Sequence, residues 1–219
     1  MFYWPAKGFD MADTPTEQQT DIIQAMLPHV PFDGWSKTAL KMAAQDVGTS
    51  YSIAKMLFPD VPGDLIEAYV RLSDAEMLNR LPDDFETLKV REKVTACVRI
   101  RMEIAGENEE ATRLAVRAFA RPRYTARAAQ SAWKTADVIW GACGDTATDY
   151  NRYTKRGILS GVYSSTLLYW LQDTSDGKQD SWGFLDRRIA GVMRFEKVKA
   201  RVVKMADKMP FAGRSKEAA

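Results

Sequence analysis

The chain has 219 residues, a formal net charge of +2, one histidine and two cysteines. That length holds one medium domain with a sizeable core, and 46 % apolar and 11 % aromatic content is that of a globular protein rather than a disordered one. No apolar run approaches the roughly 20 residues that span a bilayer, and Cys97 and Cys143, far apart in helical patterns, read as small buried apolar groups of a reducing compartment.

Residues 1–13, with Phe2, Tyr3, Trp4 and Phe9, lack the basic start and long apolar core of a secretory signal and read as a flexible leader. Thr14-Pro15-Thr16-Glu17 reads as a capping box opening a helix with Ile22, Ile23, Met26 and Leu27, closed by Pro28 and Pro31. Ser36 caps a second helix ended by Gly48, and Thr49 or Ser50 starts a short third one stopped at Phe58-Pro59. A fourth starts at Pro62-Gly63-Asp64. After the break at Leu81-Pro82, one long helix is predicted from about Phe85 to Ala105, and another from Asn108 to Ala120. Ala129, Trp133, Ala136 and Trp140 recur at helical spacing, as do Ile158, Leu159, Val162, Tyr163, Thr166 and Trp170. Asp180 or Ser181 is the predicted cap of the next helix. No alternating β-branched run occurs, so the fold class is all-α with about nine or ten helices.

Charge is uneven. Residues 1–95 carry nine Lys/Arg against fifteen Asp/Glu, a balance of −6, and residues 187–216 carry ten against two, a balance of +8. On a helical wheel Phe195, Val198, Val202, Met205 and Met209 share one face, with Arg194, Lys197, Arg201, Lys204 and Lys208 opposite. A basic amphipathic helix over 194–210 fits a membrane surface, each cation adding on the order of 1 kcal/mol near an anionic leaflet. It equally fits a packing helix with a solvated basic face. Residues 211–219 read as a disordered tail.

Chemistry for catalysis is sparse. His29 sits among prolines and reads as a loop residue. There is no Glu-x-x-His pair, paired-cysteine metal site or glycine-rich phosphate loop, so no catalytic residue, metal or cofactor is assigned. The stretch of densest polar chemistry is 144–156, with Asp145, Asp149, Asn151, Tyr153, Lys155 and Arg156 between two aromatic helices. It reads either as a solvated helix hairpin or as the mouth of a pocket. Trp133, Trp140, Tyr163 and Trp170 are likewise either core or pocket wall.

Two resemblances carry further implications. Residues 35–72, from Trp35-Ser36 through the Gly48 turn to Phe58-Pro59 and Asp64-Leu65-Ile66, resemble the helix-turn-helix of TetR-type regulators. Its second helix offers Lys55 as sole cation within an acidic front, which forfeits the phosphate contacts that supply DNA affinity. The runs Gly144-Asp145-Thr146-Ala147-Thr148-Asp149-Tyr150-Asn151, Tyr153-Thr154-Lys155-Arg156, Gly161 to Leu167, Leu171-Gln172-Asp173 and Trp182 to Ile189 resemble the ubiquinone-biosynthesis accessory proteins of the Coq-nine family over roughly residues 16–203. That resemblance implies a TetR-like helical bundle with a helix-turn-helix-like unit over 14–80, a lipid-binding and dimerising region over 81–193 and the C-terminal amphipathic helix. It further implies a homodimer that binds lipid or isoprenoid quinone as ligand rather than nucleic acid. Such a protein presents its ligand to a demethoxyubiquinone hydroxylase, from a cytoplasmic position at the inner face of the membrane. The residues so implicated are Trp133, Trp140, Tyr153, Tyr163, Leu167 and Trp170 for lipid, and Asp145, Asp149, Asn151, Lys155 and Arg156 for partner docking. Phe195, Val198, Val202, Met205 and Met209 are implicated in membrane contact. The alternative is a TetR-type regulator sensing an apolar ligand.

Overall fold

The computed structural model describes residues 14–146 and 150–192. The leader, Asp149, the amphipathic segment from Phe195 to Met209 and the tail lie outside the described residues. Within them the chain is all-α, with no strand.

Helix α1 (Glu17–Met26) opens at a capping box two residues later than the sequence pattern implied, at Thr16 rather than Thr14. Thr16 Oγ1 accepts from the Gln19 N–H at 3.3 Å, and Gln19 Oε1 accepts from the Thr16 N–H at 3.0 Å. Both frames satisfy the Thr-x-x-Glu/Gln rule. The later one leaves Pro15 buried ahead of the helix. The prolines after α1 do not merely stop it. Pro31 sits in the first turn of a one-turn helix, α2 (Val30–Asp33), where its missing N–H costs nothing.

Helices α3 (Lys37–Asp46) and α4 (Tyr51–Leu57) start where Ser36 and Ser50 accept from the N–H groups of Ala39 and Ile53. The turn between them uses Gly48 at φ +67°, a left-handed position that a Cβ would strain. Helix α5 (Gly63–Asn79) follows. The long helix expected from Phe85 is broken. A 3-10 turn (Phe85–Thr87) anchors buried Phe85, Leu88 is extended, and α6 (Val90–Glu107) begins after the Lys89 N–H donates to Glu92. Helices α7 (Glu109–Phe119), α8 (Thr125–Ala142) and α9 (Tyr150–Trp170) complete the bundle with α10, residues 179–192. Asp173, rather than Asp180 or Ser181, receives the first turn of α10. Its carboxylate accepts from the N–H and hydroxyl of Ser181 and from the Ser175 N–H.

Apolar side chains gather in two cores. One joins α1–α4 to the first half of α5 and to α7, through residues such as Ile22, Leu40, Phe58, Ile66, Tyr69 and Phe119. The other joins the end of α5 to α6, α8, α9 and α10, through Met77, Val98, Met102, Ile139, Leu159, Tyr163 and Leu185. Two cores in one chain leave a seam, and polar groups stitch it. Trp35 Nε1 donates to the Ala111 carbonyl at 2.9 Å. Thr112 donates to the Ala105 carbonyl at 3.1 Å, so Tyr69, 2.9 Å away, donates to Thr112.

Candidate functional site

Helices α8 and α9 run antiparallel, Arg156 of α9 donating to Asp137 of α8, while the Ser160 hydroxyl donates to the Arg156 carbonyl at 2.7 Å with the Ala132 carbonyl 3.3 Å away. Along the inner side of this pair, at the seam between the cores, lies a cavity of about 330 Å³. It falls at the lower end of the size range of ligand pockets. Apolar groups from four helices form its wall, among them Ile66, Ala115, Phe119, Ala128, Tyr163 and Leu167. Thr125 and half-exposed Leu168 mark the open end, ten residues along α8 from buried Thr135.

The inner end is polar. Arg101, 3 % exposed, lines the cavity and donates from Nε to Asp74 Oδ1 at 2.8 Å. Thr135 donates to the other carboxylate oxygen at 2.8 Å. Desolvation raises the Asp74 carboxyl above its ordinary value, with Arg101 and then Thr135 pulling it back. The Arg101 guanidinium lies 6.0 Å from the centre of the Tyr163 ring. Burial pushes the Tyr163 hydroxyl up to about 12, so it stays a neutral donor at neutral pH.

A second cluster ties the end of α8 to the start of α9. Arg156, also 3 % exposed, donates from Nε to Asp137, and from Nη1 to Asp145 Oδ2 at 3.0 Å and to the Arg152 carbonyl at 3.3 Å. Lys155 Nζ donates to Asp145 Oδ1 at 2.6 Å and lies over the Trp140 ring. Against a desolvation that pushes it up, Lys155 and Arg156 hold the Asp145 carboxyl below its ordinary value. A second apolar hollow of about 220 Å³ adjoins this cluster, lined by Trp140, Asn151, Lys155, Ile158 and Val192 among others. The Trp140 indole N–H is buried without an acceptor among the described residues.

The residues singled out in the sequence therefore separate into several places. Tyr163 and Leu167 meet at the seam cavity, and Trp140 lines the second hollow. Trp133 packs its ring 6.1 Å from that of Tyr153, which is 62 % exposed, and neither lines either of these two hollows. Trp170 is buried beside Gly106 under Lys178. Asn151 is exposed and Lys155 half-buried, whereas the Arg156 and Asp145 side chains are turned into their ion-pair cluster. Arg101, Asp74 and Thr135 were not singled out at all. Their signal was nonetheless present: Arg101 follows Val94, Cys97 and Val98 in the buried phase of α6, and Asp74 shares the buried phase of α5 with Ile66 and Met77. Opposite charges at core phase on successive helices imply a buried pair.

Among the described residues no helix is long and apolar enough to cross a membrane, and no three His, Cys, Asp or Glu side chains gather as a metal site.

The backbone defines the class. It superimposes on a TetR transcriptional regulator from Nitrosomonas europaea with a TM-score of 0.63, covering 80 % of this chain and 97 % of that one at 16 % identity. The fold is all-α and TetR-like. The particular likeness lies in the site region, where residues 125–196, spanning α8, α9 and α10, match the COQ9 family model. The mitochondrial ubiquinone biosynthesis protein COQ9 of Rattus norvegicus is 29 % identical over 201 residues, 87 % of this chain and 64 % of that protein. The Homo sapiens protein of the same name is 27 % identical over 201 residues, 87 % of this chain and 63 % of its own. The chain is similar to the COQ9 proteins and spans less than two thirds of the length of these two.

Proposed function

We propose that this protein is a non-catalytic carrier in ubiquinone biosynthesis that holds an isoprenoid lipid or quinone intermediate in the seam cavity and presents it to a membrane-associated hydroxylase. One observation carries the reading: the region matching COQ9 walls an apolar cavity that opens at Thr125 and Leu168. Burial supplies the holding energy, roughly 0.8 kcal/mol per methylene removed from water. Asn151, Tyr153, Lys155 and Arg152 present a mixed polar face at the start of α9 that suits partner docking, with Arg156, Asp145 and Asp137 stiffening it from below. In this reading the basic segment 194–210 holds the protein at an anionic membrane through Phe195, Val198, Val202, Met205 and Met209, and a second copy packs on α8 and α9.

Organic extraction of the purified protein followed by mass spectrometry should release prenylated quinones or phospholipids. Substituting Ala132→Trp, on the cavity wall, should abolish that lipid without unfolding the chain. A protein that carries no lipid, and ignores liposomes containing anionic phospholipid, is not a carrier. Removal of residues 195–219 should abolish liposome binding and leave the helical content unchanged.

The TetR likeness favours a second reading, a DNA-binding regulator that senses an apolar ligand. It requires DNA affinity that falls steeply with salt and is lost on changing Lys37, Lys41 and Lys55.

A further inference from the structure

Within the carrier reading, on which this step rests, the inner end of the cavity has a chemistry of its own. A buried ion pair adds little stability over apolar residues of similar volume. Arg101 and Asp74 are 3 % exposed each, and the pair is asymmetric. Asp74 is fully engaged, one oxygen by Arg101 Nε and the other by Thr135. Among the described residues Nε is the only nitrogen of Arg101 that meets an acceptor. Its two terminal nitrogens remain as donors on a residue lining a mainly apolar cavity whose other polar groups are neutral hydroxyls, beside the Tyr163 ring. A guanidinium carries five N–H donors in a fixed fork, so four of the five have no acceptor among the described residues on a side chain that lines the cavity.

We propose that Arg101 recognises a neutral oxygen acceptor, such as a ring carbonyl, on a ligand that enters head first with its apolar tail trailing out past Leu168. Charge balance selects the neutral head. Asp74 already compensates Arg101, and Tyr163 holds its proton, so a carboxylate or phosphate head would bring an uncompensated charge into an apolar wall. Length agrees with the orientation. Thr135 and Thr125 lie ten residues apart on α8, about 15 Å at 1.5 Å per residue. That distance accommodates a ring and the start of a chain, and the rest of a long isoprenoid lies beyond the mouth.

The test uses the full-length protein and three probes: a benzoquinone with two isoprenyl units, an isoprenoid hydrocarbon of the same chain length, and palmitate. Titration should show the quinone binding about tenfold tighter than the hydrocarbon, as one hydrogen bond to a charged donor would give. The carbonyl stretch of the bound quinone should lie below its value in hexane. In the charge-neutral double variant Asp74→Asn with Arg101→Gln, hydrocarbon binding should persist while the quinone preference and the infrared shift disappear. Equal affinity for quinone and hydrocarbon, or an unshifted stretch in the wild-type protein, overturns the role of Arg101 and leaves the carrier reading standing. Preference for palmitate overturns the neutral head. A folded double variant that keeps both preference and shift overturns the assignment as well. Binding of none of the three overturns the carrier reading and this inference together.

Discussion

Two arginines in this molecule are equally buried and do different work. Arg156, between α8 and α9, is spent on the fold: Asp137, Asp145 and the Arg152 carbonyl take its donors, and the acids are shared with Lys155 and Arg152. Arg101, at the seam, meets one carboxylate and keeps its remaining donors on a side chain that lines a cavity. Burial by itself therefore does not mark a functional residue. The count of unspent donors and what they face does.

The comparison can be broken first by stability. Arg101→Met should cost about 3 kcal/mol, since it strands buried Asp74, whereas Arg156→Met leaves Asp145 on Lys155 and part-exposed Asp137 on Arg152 and should cost less. Urea unfolding followed by circular dichroism measures both. Rescue should separate the two sites further. Adding Asp74→Asn to Arg101→Met should restore most of the loss, because no charge is left behind. Adding Asp145→Asn to Arg156→Met should restore far less, because Lys155 and Arg152 still hold the two acids when Arg156 is gone. Equal rescue at both sites would erase the distinction drawn between them.

A smaller effect concerns Gly106, whose added Cβ would sit 3.2 Å from the buried Trp170 ring. Because Trp170 lies under Lys178 and away from the seam, Gly106→Ala should cost about 1 kcal/mol by overpacking and leave ligand affinity unchanged. A change in affinity would place Trp170 in the pocket wall after all.

The mildest prediction is one of pH. Hydrogen bonds from Ser175 and Ser181 hold the Asp173 carboxyl well below the usual carboxylate range. The unfolded chain then binds the proton more readily than the folded one, so this contribution is present above about pH 4 and fades as pH falls below it. Asp173→Asn should flatten that acid limb of the stability curve, and an unchanged limb would remove Asp173 as the anchor of α10.

Much of this architecture could be read from residue order. Ser36, Ser50 and the glycine turn at Gly48 cap as their chemistry demands, and the 3.6-residue stripe of α9 faces inward as expected. On α8 the buried face is instead Ser131, Thr135, Ala136 and Ile139, with Ala129 exposed and Trp133 outside both cores. Helix interruptions were less legible. Phe85 and Leu88 continue the apolar pattern of α6, so only tertiary burial of Phe85 shows that the turn before Val90 is separate. The cap of α10 was missed because Asp173 reaches eight residues forward across a 3-10 turn, beyond any local rule. The aromatic residues were legible as apolar, but periodicity does not tell a wall from a core, and of Trp133, Trp140, Tyr153, Tyr163 and Trp170 only Tyr163 meets the seam cavity.

The most direct measurement is a crystal structure of the protein soaked with a short-chain prenylated benzoquinone. The account predicts electron density in the seam cavity, with a ring oxygen within hydrogen-bond reach of an Arg101 terminal nitrogen and the tail leaving beside Leu168. Density in the hollow beside Trp140 instead, with the seam cavity unchanged, would contradict it.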